Sequence, residues 1–225
     1  MSYSYYEVYT NTQRAFSGLG FPYGADEDAA YIISWLEAFE LDGIHLFSSI
    51  QKKIDSNFNG ALENNKFINK INLEKRSCLM MGPGLIDFLN FHTLKNNHID
   101  IEFQNCSDPL FLIPLLYRAV KKNIFSKIIN QNKIYTVLGK NEIFIHDDIK
   151  NNECANFILS LSKNEYKIPK NEKSLEYNLL NKNISNGLNP NQSSWDEISD
   201  LAFRTYVPES EESREKGAGG GDAND

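Results

Sequence analysis

The chain is short of cysteine, of histidine and of positive charge, and each shortage closes off a class of function. Three cysteines, Cys78, Cys106 and Cys154, are scattered through 225 residues without a Cys-x-x-Cys pair. That pattern argues against a disulfide framework or a zinc knuckle and fits free buried thiols in a reducing cytoplasm. The 23 basic residues are outnumbered by 30 acidic ones, for a net charge of −7. With no basic stripe, the counterion release that drives nucleic-acid binding has no source, so DNA and RNA are set aside as partners. The longest apolar run, Leu110 to Leu116, contains Pro114 and falls far short of a bilayer span. The stretch from Met1 to Glu7 has neither the positive region nor the apolar run of a signal peptide. Together these absences predict an acidic, soluble, cytoplasmic protein with no membrane partner. His92, His98 and His146 show no metal-ligand spacing among themselves, so no metal is expected, and nothing in the sequence names a cofactor.

What is present is enough apolar material for a sizeable core, 41% hydrophobic and 12% aromatic residues. Ser4-x-x-Glu7 is a capping box opening a first helix that ends at Gly18 or Gly20. Asp26, Glu27 and Asp28 put negative charge at the start of a second helix, whose apolar face is Ala29, Ile32, Ile33, Leu36 and Phe39. A third helix is predicted from Ile44 to about Asn57. Residues 58–75 read as a loop or linker with a short helix at Asn65 to Ile71. Gly82-Pro83-Gly84 reads as a tight turn before a helix, His98 to Phe103 alternates as a strand, and Ser107-Asp108-Pro109 marks a helix start. Ile134–Leu138 and Ile143–His146 read as a hairpin, Cys154–Leu161 as a further strand, and Lys163–Gln192 as a long polar loop. Ser194-Trp195-Asp196-Glu197 is a second capping box. The predicted fold class is α+β (mixed α/β): a three-helix N-terminal unit over residues 1–57, then a mixed sheet with flanking helices over 76–206, then a glycine-rich acidic tail over 207–225.

Two resemblances follow from particular residues. Gly20-Phe21-Pro22-Tyr23-Gly24-Ala25-Asp26-Glu27-Asp28, with Trp35-Leu36, Leu41-Asp42-Gly43 and the C-terminal Thr205-Tyr206-Val207-Pro208-Glu209-Ser210-Glu211-Glu212-Ser213-Arg214, resembles an uncharacterised bacterial family, domain of unknown function 3726. That resemblance implies no assigned reaction. Asp28 through Ile44, then Ile99-Asp100-Ile101 and Asn105-Cys106-Ser107-Asp108 before a helix, are similar in layout to the malate/L-lactate dehydrogenase family that lacks a Rossmann fold. In that family a serine–histidine pair supplies the acid/base, followed by an arginine and, later, a second histidine. Carried over, the pair falls on Leu46 and Phe47, the arginine on Gln51 and the second histidine on Asp108. Hydride transfer to a keto acid needs a proton donor and a cation for the carboxylate, and neither stands where the resemblance puts it. Such enzymes also usually run on for roughly a hundred residues more.

The remaining candidates are local. Arg204, Tyr206, Ser210, Ser213 and Arg214 cluster near the C-terminus, where two guanidinium groups, hydroxyls and glycine amides could clamp a small anionic metabolite. The same segment could equally pair its own glutamates and stay a mobile tail. His45 is a candidate proton shuttle or a plain hydrogen-bonded histidine; His146-Asp147-Asp148 is a hard-metal site or a solvated turn. Asp26 has a full structural account as a first-turn charge. The function expected is binding or transformation of a small anionic metabolite; the alternative is a non-catalytic subunit or interaction protein derived from an enzyme fold, working as a homo-oligomer or with a protein partner.

Overall fold

The computed structural model describes residues 2–55, 69–150, 155–169 and 172–206. The Ser4 hydroxyl accepts from the Glu7 N–H at 3.2 Å while the Glu7 carboxylate accepts from the Ser4 N–H at 2.7 Å, which opens α1 (Tyr5–Gly18) as the capping box predicts. α2 (Ala25–Ala38) buries most of its circumference, Trp35 included, because it lies between α1 and α3 (Gly43–Ile54) on one side and α4 (Cys78–Asn96) and α5 (Leu112–Val120) on the other. Two glycines set how closely these helices approach. A methyl on Gly43 would stand 2.2 Å from the Ile33 carbonyl oxygen, and one on Gly18 2.2 Å from the carbonyl oxygen of Leu201 in α7 (Gln192–Phe203). The last helix of the 76–206 stretch therefore packs on α1 and α3, in the N-terminal helical layer. Trp35 stacks on Phe39 at 4.6 Å and meets Tyr117 of α5 at 5.4 Å, tying that layer to the next.

The sheet has the order β1 (Lys70–Asn72), β2 (His98–Cys106), β6 (Ala155–Ser162), β3 (Phe125–Asn130), β4 (Lys133–Leu138), β5 (Glu142–Ile145), β7 (Ser174–Glu176). β1 and β2 run parallel, joined through α4; every other pairing is antiparallel. Ile101, Leu159 and Ile128 sit in register on one face, Phe103 stacks on Phe157 at 5.0 Å beside them, and α4 and α5 cover that face. The opposite face carries Asp100, Glu102 and Lys127, with the Tyr166 ring 4.8 Å from the Lys127 ammonium. The fold is α+β, as expected.

Several local expectations are corrected. Gly82-Pro83-Gly84 forms no turn but lies inside α4; Gly82 presses on α5, where an added methyl would stand 2.9 Å from Leu115 Cδ1. Pro83, the sixth residue of α4, lacks the N–H that would bond the Leu79 carbonyl, a cost of about 3 kcal/mol set against that packing. Lys70 and Ile71 belong to β1 and not to a helix; most of the expected 58–75 linker lies outside the described residues. The stretch 163–192 contains β7 and α6 (Asn178–Asn186), the latter anchored by buried Leu180 and by Asn183 Nδ2 donating to the Ala38 carbonyl at 3.0 Å. β3 is a strand the alternation did not pick out, its Phe125 and Ser126 both being buried. Asn191, not Ser194, caps α7, its side chain accepting from the Ser194 N–H at 3.1 Å.

Candidate functional site

β1 and β2 end side by side, and the loops leaving them build a polar cluster at the start of α4. The Leu73 N–H donates to the Gln104 carbonyl at 2.8 Å and the Lys75 N–H to the Asn105 carbonyl at 2.9 Å, which locks the loops together. Glu74 (φ 53°), Lys75 (φ 60°) and Asn105 (φ 53°) all take left-handed backbone to do so, a strained choice for residues with side chains. Ser77 caps α4, its Oγ accepting from the Leu79 N–H at 3.2 Å. Asp108 then reaches across from the β2 exit: Oδ2 accepts from Ser77 Oγ at 2.7 Å and Oδ1 from the Cys78 N–H at 2.9 Å. Asp108 was expected to cap its own helix, yet the 3₁₀ turn Pro109–Phe111 receives no side-chain cap. Its carboxylate instead fills the place at the positive end of α4 where an external anion would bind.

Beneath Asp108 lie Cys78 and Cys106, both buried, with their sulfurs 3.6 Å apart. The two Sγ atoms and the carboxylate are all within 4.8 Å of one another. Burial holds the Asp108 carboxyl above its ordinary range even with donors from Cys78 and Ser77. The Cys78 thiol is pushed well up, first by its hydrogen bond with Cys106 and then by burial. A thiol so held stays protonated and is a poor nucleophile. The cluster's chemistry as it stands is to fasten the start of α4 to the end of β2. Sequence spacing alone does not pair these cysteines, which are 28 residues apart; the signal that pairs them is the parallel β1–α4–β2 connection, which puts a helix start beside a strand end.

The dehydrogenase positions are occupied otherwise. Phe47 is buried and stacks on Phe16 at 4.0 Å, and Leu46 packs against the core. Gln51 donates to Glu197 at 3.0 Å, and Ser48 to the same carboxylate at 2.5 Å. His45 is exposed and its Nδ1 lies 3.1 Å from Ser194 Oγ. These contacts join α3 to α7, so the residues flanking the expected acid/base pair act as interhelical ties.

Among the C-terminal candidates, Arg204 grips both oxygens of Asp55, at 2.9 and 3.1 Å, and the Tyr206 hydroxyl accepts from Arg14 at 2.7 Å. The two are neighbours at the end of α7 but face different partners. Ser210, Ser213 and Arg214 lie outside the described residues, as does the rest of the 207–225 tail. Asp26 is buried with its carboxylate accepting from Ser17, Gly24 and Glu27, a helix-start role. Asp148 pairs with Lys133 at 2.5 Å and its N–H donates to His146 Nδ1 at 3.1 Å, the geometry of a turn. A surface groove of about 590 Å³ between α4 and β2 brings His92, His98 and Asp100 together with Phe88 and Ile99; His98 is 3.3 Å from Asp100. No helix among the described residues is long and apolar enough to cross a membrane.

The family described as Protein of unknown function (DUF3726) matches residues 3–77. No curated protein matches the chain. Among solved structures, a "putative malate/lactate dehydrogenase from E. coli" superposes with a TM-score of 0.61 at 8% identity, over 93% of this chain and 96% of that one. The fold is shared. The match spans nearly all of that neighbour, so the shortfall of residues expected from the resemblance does not appear against it. At 8% identity the likeness extends to architecture and leaves the reaction to be argued from side chains.

Proposed function

We propose that this chain is a non-catalytic module on a dehydrogenase-like fold, acting through association with another protein chain. The observation that carries the reading is Asp108. Where the resemblance puts a catalytic histidine stands a carboxylate spent on capping α4 through Ser77 and Cys78. With Leu46 and Phe47 at the other acid/base positions, neither of those positions offers a proton donor to a carbonyl, and Gln51 is no cation for a substrate carboxylate. The test is to incubate the purified protein with NADH or NADPH and a panel of 2-keto acids while following nicotinamide absorbance. No oxidation above the protein-free rate is expected; turnover that vanishes in His45→Ala would sink the reading.

A second reading, binding of a small anionic metabolite at the C-terminal cluster, is favoured by one feature. Arg204 and Asp55 are 48% and 33% exposed, so their ion pair is a weak surface contact that a dicarboxylate or phosphate could displace. Dicarboxylates and phosphorylated metabolites should then raise the melting temperature of the wild type but not of Arg204→Ala or Arg214→Ala. Identical responses in all three proteins would remove this reading.

A further inference from the structure

The outward face of α4 is unusual for a helix so deeply built into a fold. Its inner side is core: Leu79, Leu85, Ile86 and Leu89 are all buried. Its outer side carries Phe91 and Leu94, 52% and 48% exposed, where a solvated helix would place polar residues. Lys95 folds its ammonium over the Phe91 ring at 4.2 Å. Asp87, 77% exposed, has Lys122 only at 4.0 Å. A turn earlier, Gly84 has no atom within 4 Å of the place a methyl would take, so that end of the face is flat and open.

The order of these residues along the helix is self-complementary. Taking Phe91 as a centre, Asp87 and Lys95 lie four residues to either side, and Phe88 and Leu94 three residues to either side. We propose that this face binds a second copy of the same chain, α4 against α4 in antiparallel register about a twofold axis at Phe91. In that register Phe91 meets the partner's Phe91, Phe88 comes level with the partner's Leu94, and Asp87 comes level with the partner's Lys95, so the symmetry forms each contact twice. Along α4 itself no like charges stand at one level. A parallel pairing would instead set Asp87 against the partner's Asp87 and Lys95 against the partner's Lys95, which disfavours it. The complementarity therefore selects both the occupant and its direction. One helix face of a few side chains is at the small end of specific interfaces, so the dimer should form in the micromolar range. The proposal does not depend on whether the fold keeps a reaction, and the assay below reads no catalysis.

The experiment is sedimentation velocity of the full chain from about 1 to 100 µM, a range that brackets the affinity of such an interface. The wild type should shift from monomer to dimer. Phe91→Glu should stay monomeric with an unchanged circular dichroism spectrum, since the residue is half exposed and its replacement leaves the core alone. Lys95→Glu should weaken the dimer about tenfold, two exposed pairs being lost at once. Asp87→Lys combined with Lys95→Glu should restore it. A wild type that remains monomeric throughout overturns the proposal, as does a dimer indifferent to Phe91→Glu. Failure of the double reversal to recover the affinity lost in Lys95→Glu overturns the antiparallel register.

Discussion

Replacing Asp108 tests whether the strand-end cluster is structural. Asp108 Oδ1 accepts from the Cys78 N–H at 2.9 Å and Oδ2 from Ser77 Oγ at 2.7 Å. In Asp108→Ala both donors lose their acceptor. The Ser77 hydroxyl can rotate, but the Cys78 N–H is fixed at the helix start. Losing a capping acceptor costs about 1 kcal/mol, and a backbone donor left dry about 1–3 kcal/mol. Asp108 keeps part of its surface accessible, so water can repair some of this, and the expected cost is about 2 kcal/mol. For a chain of this length that corresponds to a melting temperature about 4–8 °C lower. Urea denaturation followed by circular dichroism at pH 7 measures it. Asp108→Asn keeps one acceptor oxygen and should cost about half as much. The pH dependence carries a sign. Burial raises the folded carboxyl above its unfolded value, so Asp108 contributes most to stability below the unfolded pKa. That contribution is lost as pH rises through the folded pKa. The deficit of Asp108→Asn relative to wild type should accordingly shrink as pH rises from the ordinary carboxylate range. An alanine variant as stable as wild type, or an asparagine deficit that grows with pH, would refute the reasoning.

Other substitutions probe the surroundings of that cluster. Gly43→Ala and Gly18→Ala each drive a methyl to 2.2 Å from a backbone oxygen of a neighbouring helix; since backbone cannot step aside, each should cost at least about 1–3 kcal/mol, read as a fall in the urea midpoint. Gly84→Ala is the control: open space surrounds it, and helix propensity should make it neutral or stabilising by up to about 1 kcal/mol. Arg204→Ala breaks the pair with Asp55, and its exposure limits the expected loss to under about 1 kcal/mol; a larger loss in a thermal melt would mean that the end of α7 bears more weight than its accessibility suggests.

Local signals were legible where one short segment decides the outcome. The Ser4–Glu7 box, the α2 face and the strand from His98 depend on neighbours in sequence, and all three stand in the structure. The errors come from positions where a distant element overrides the local preference. Gly82-Pro83-Gly84 has turn chemistry, yet contact with Leu112 and Leu115 of α5 holds it helical. Ser194 has cap chemistry, yet its hydroxyl is taken by His45 from α3, and the cap falls to Asn191. Asparagine-rich 178–186 looks like loop because its helix needs only Leu180 inside.

Asp108 joins these two lessons. In sequence it is an ordinary helix-start aspartate before a proline, and in the resemblance it is a catalytic histidine replaced. A carboxylate offers two oxygens, one accepting from Ser77 Oγ and the other from the Cys78 N–H at the positive end of α4. A neutral histidine offers a single acceptor nitrogen. Asp108 thus fastens α4 to β2, and α4 is the helix whose outer face carries the exposed strip around Phe91. Two variants test whether stability at the helix start bears on the presentation of that strip. Asp108→Ala should weaken self-association as well as folding, whereas Phe91→Glu should weaken self-association alone. Sedimentation and denaturation on the two variants separate these effects, and a folded Asp108→Ala that dimerises like wild type would break the link.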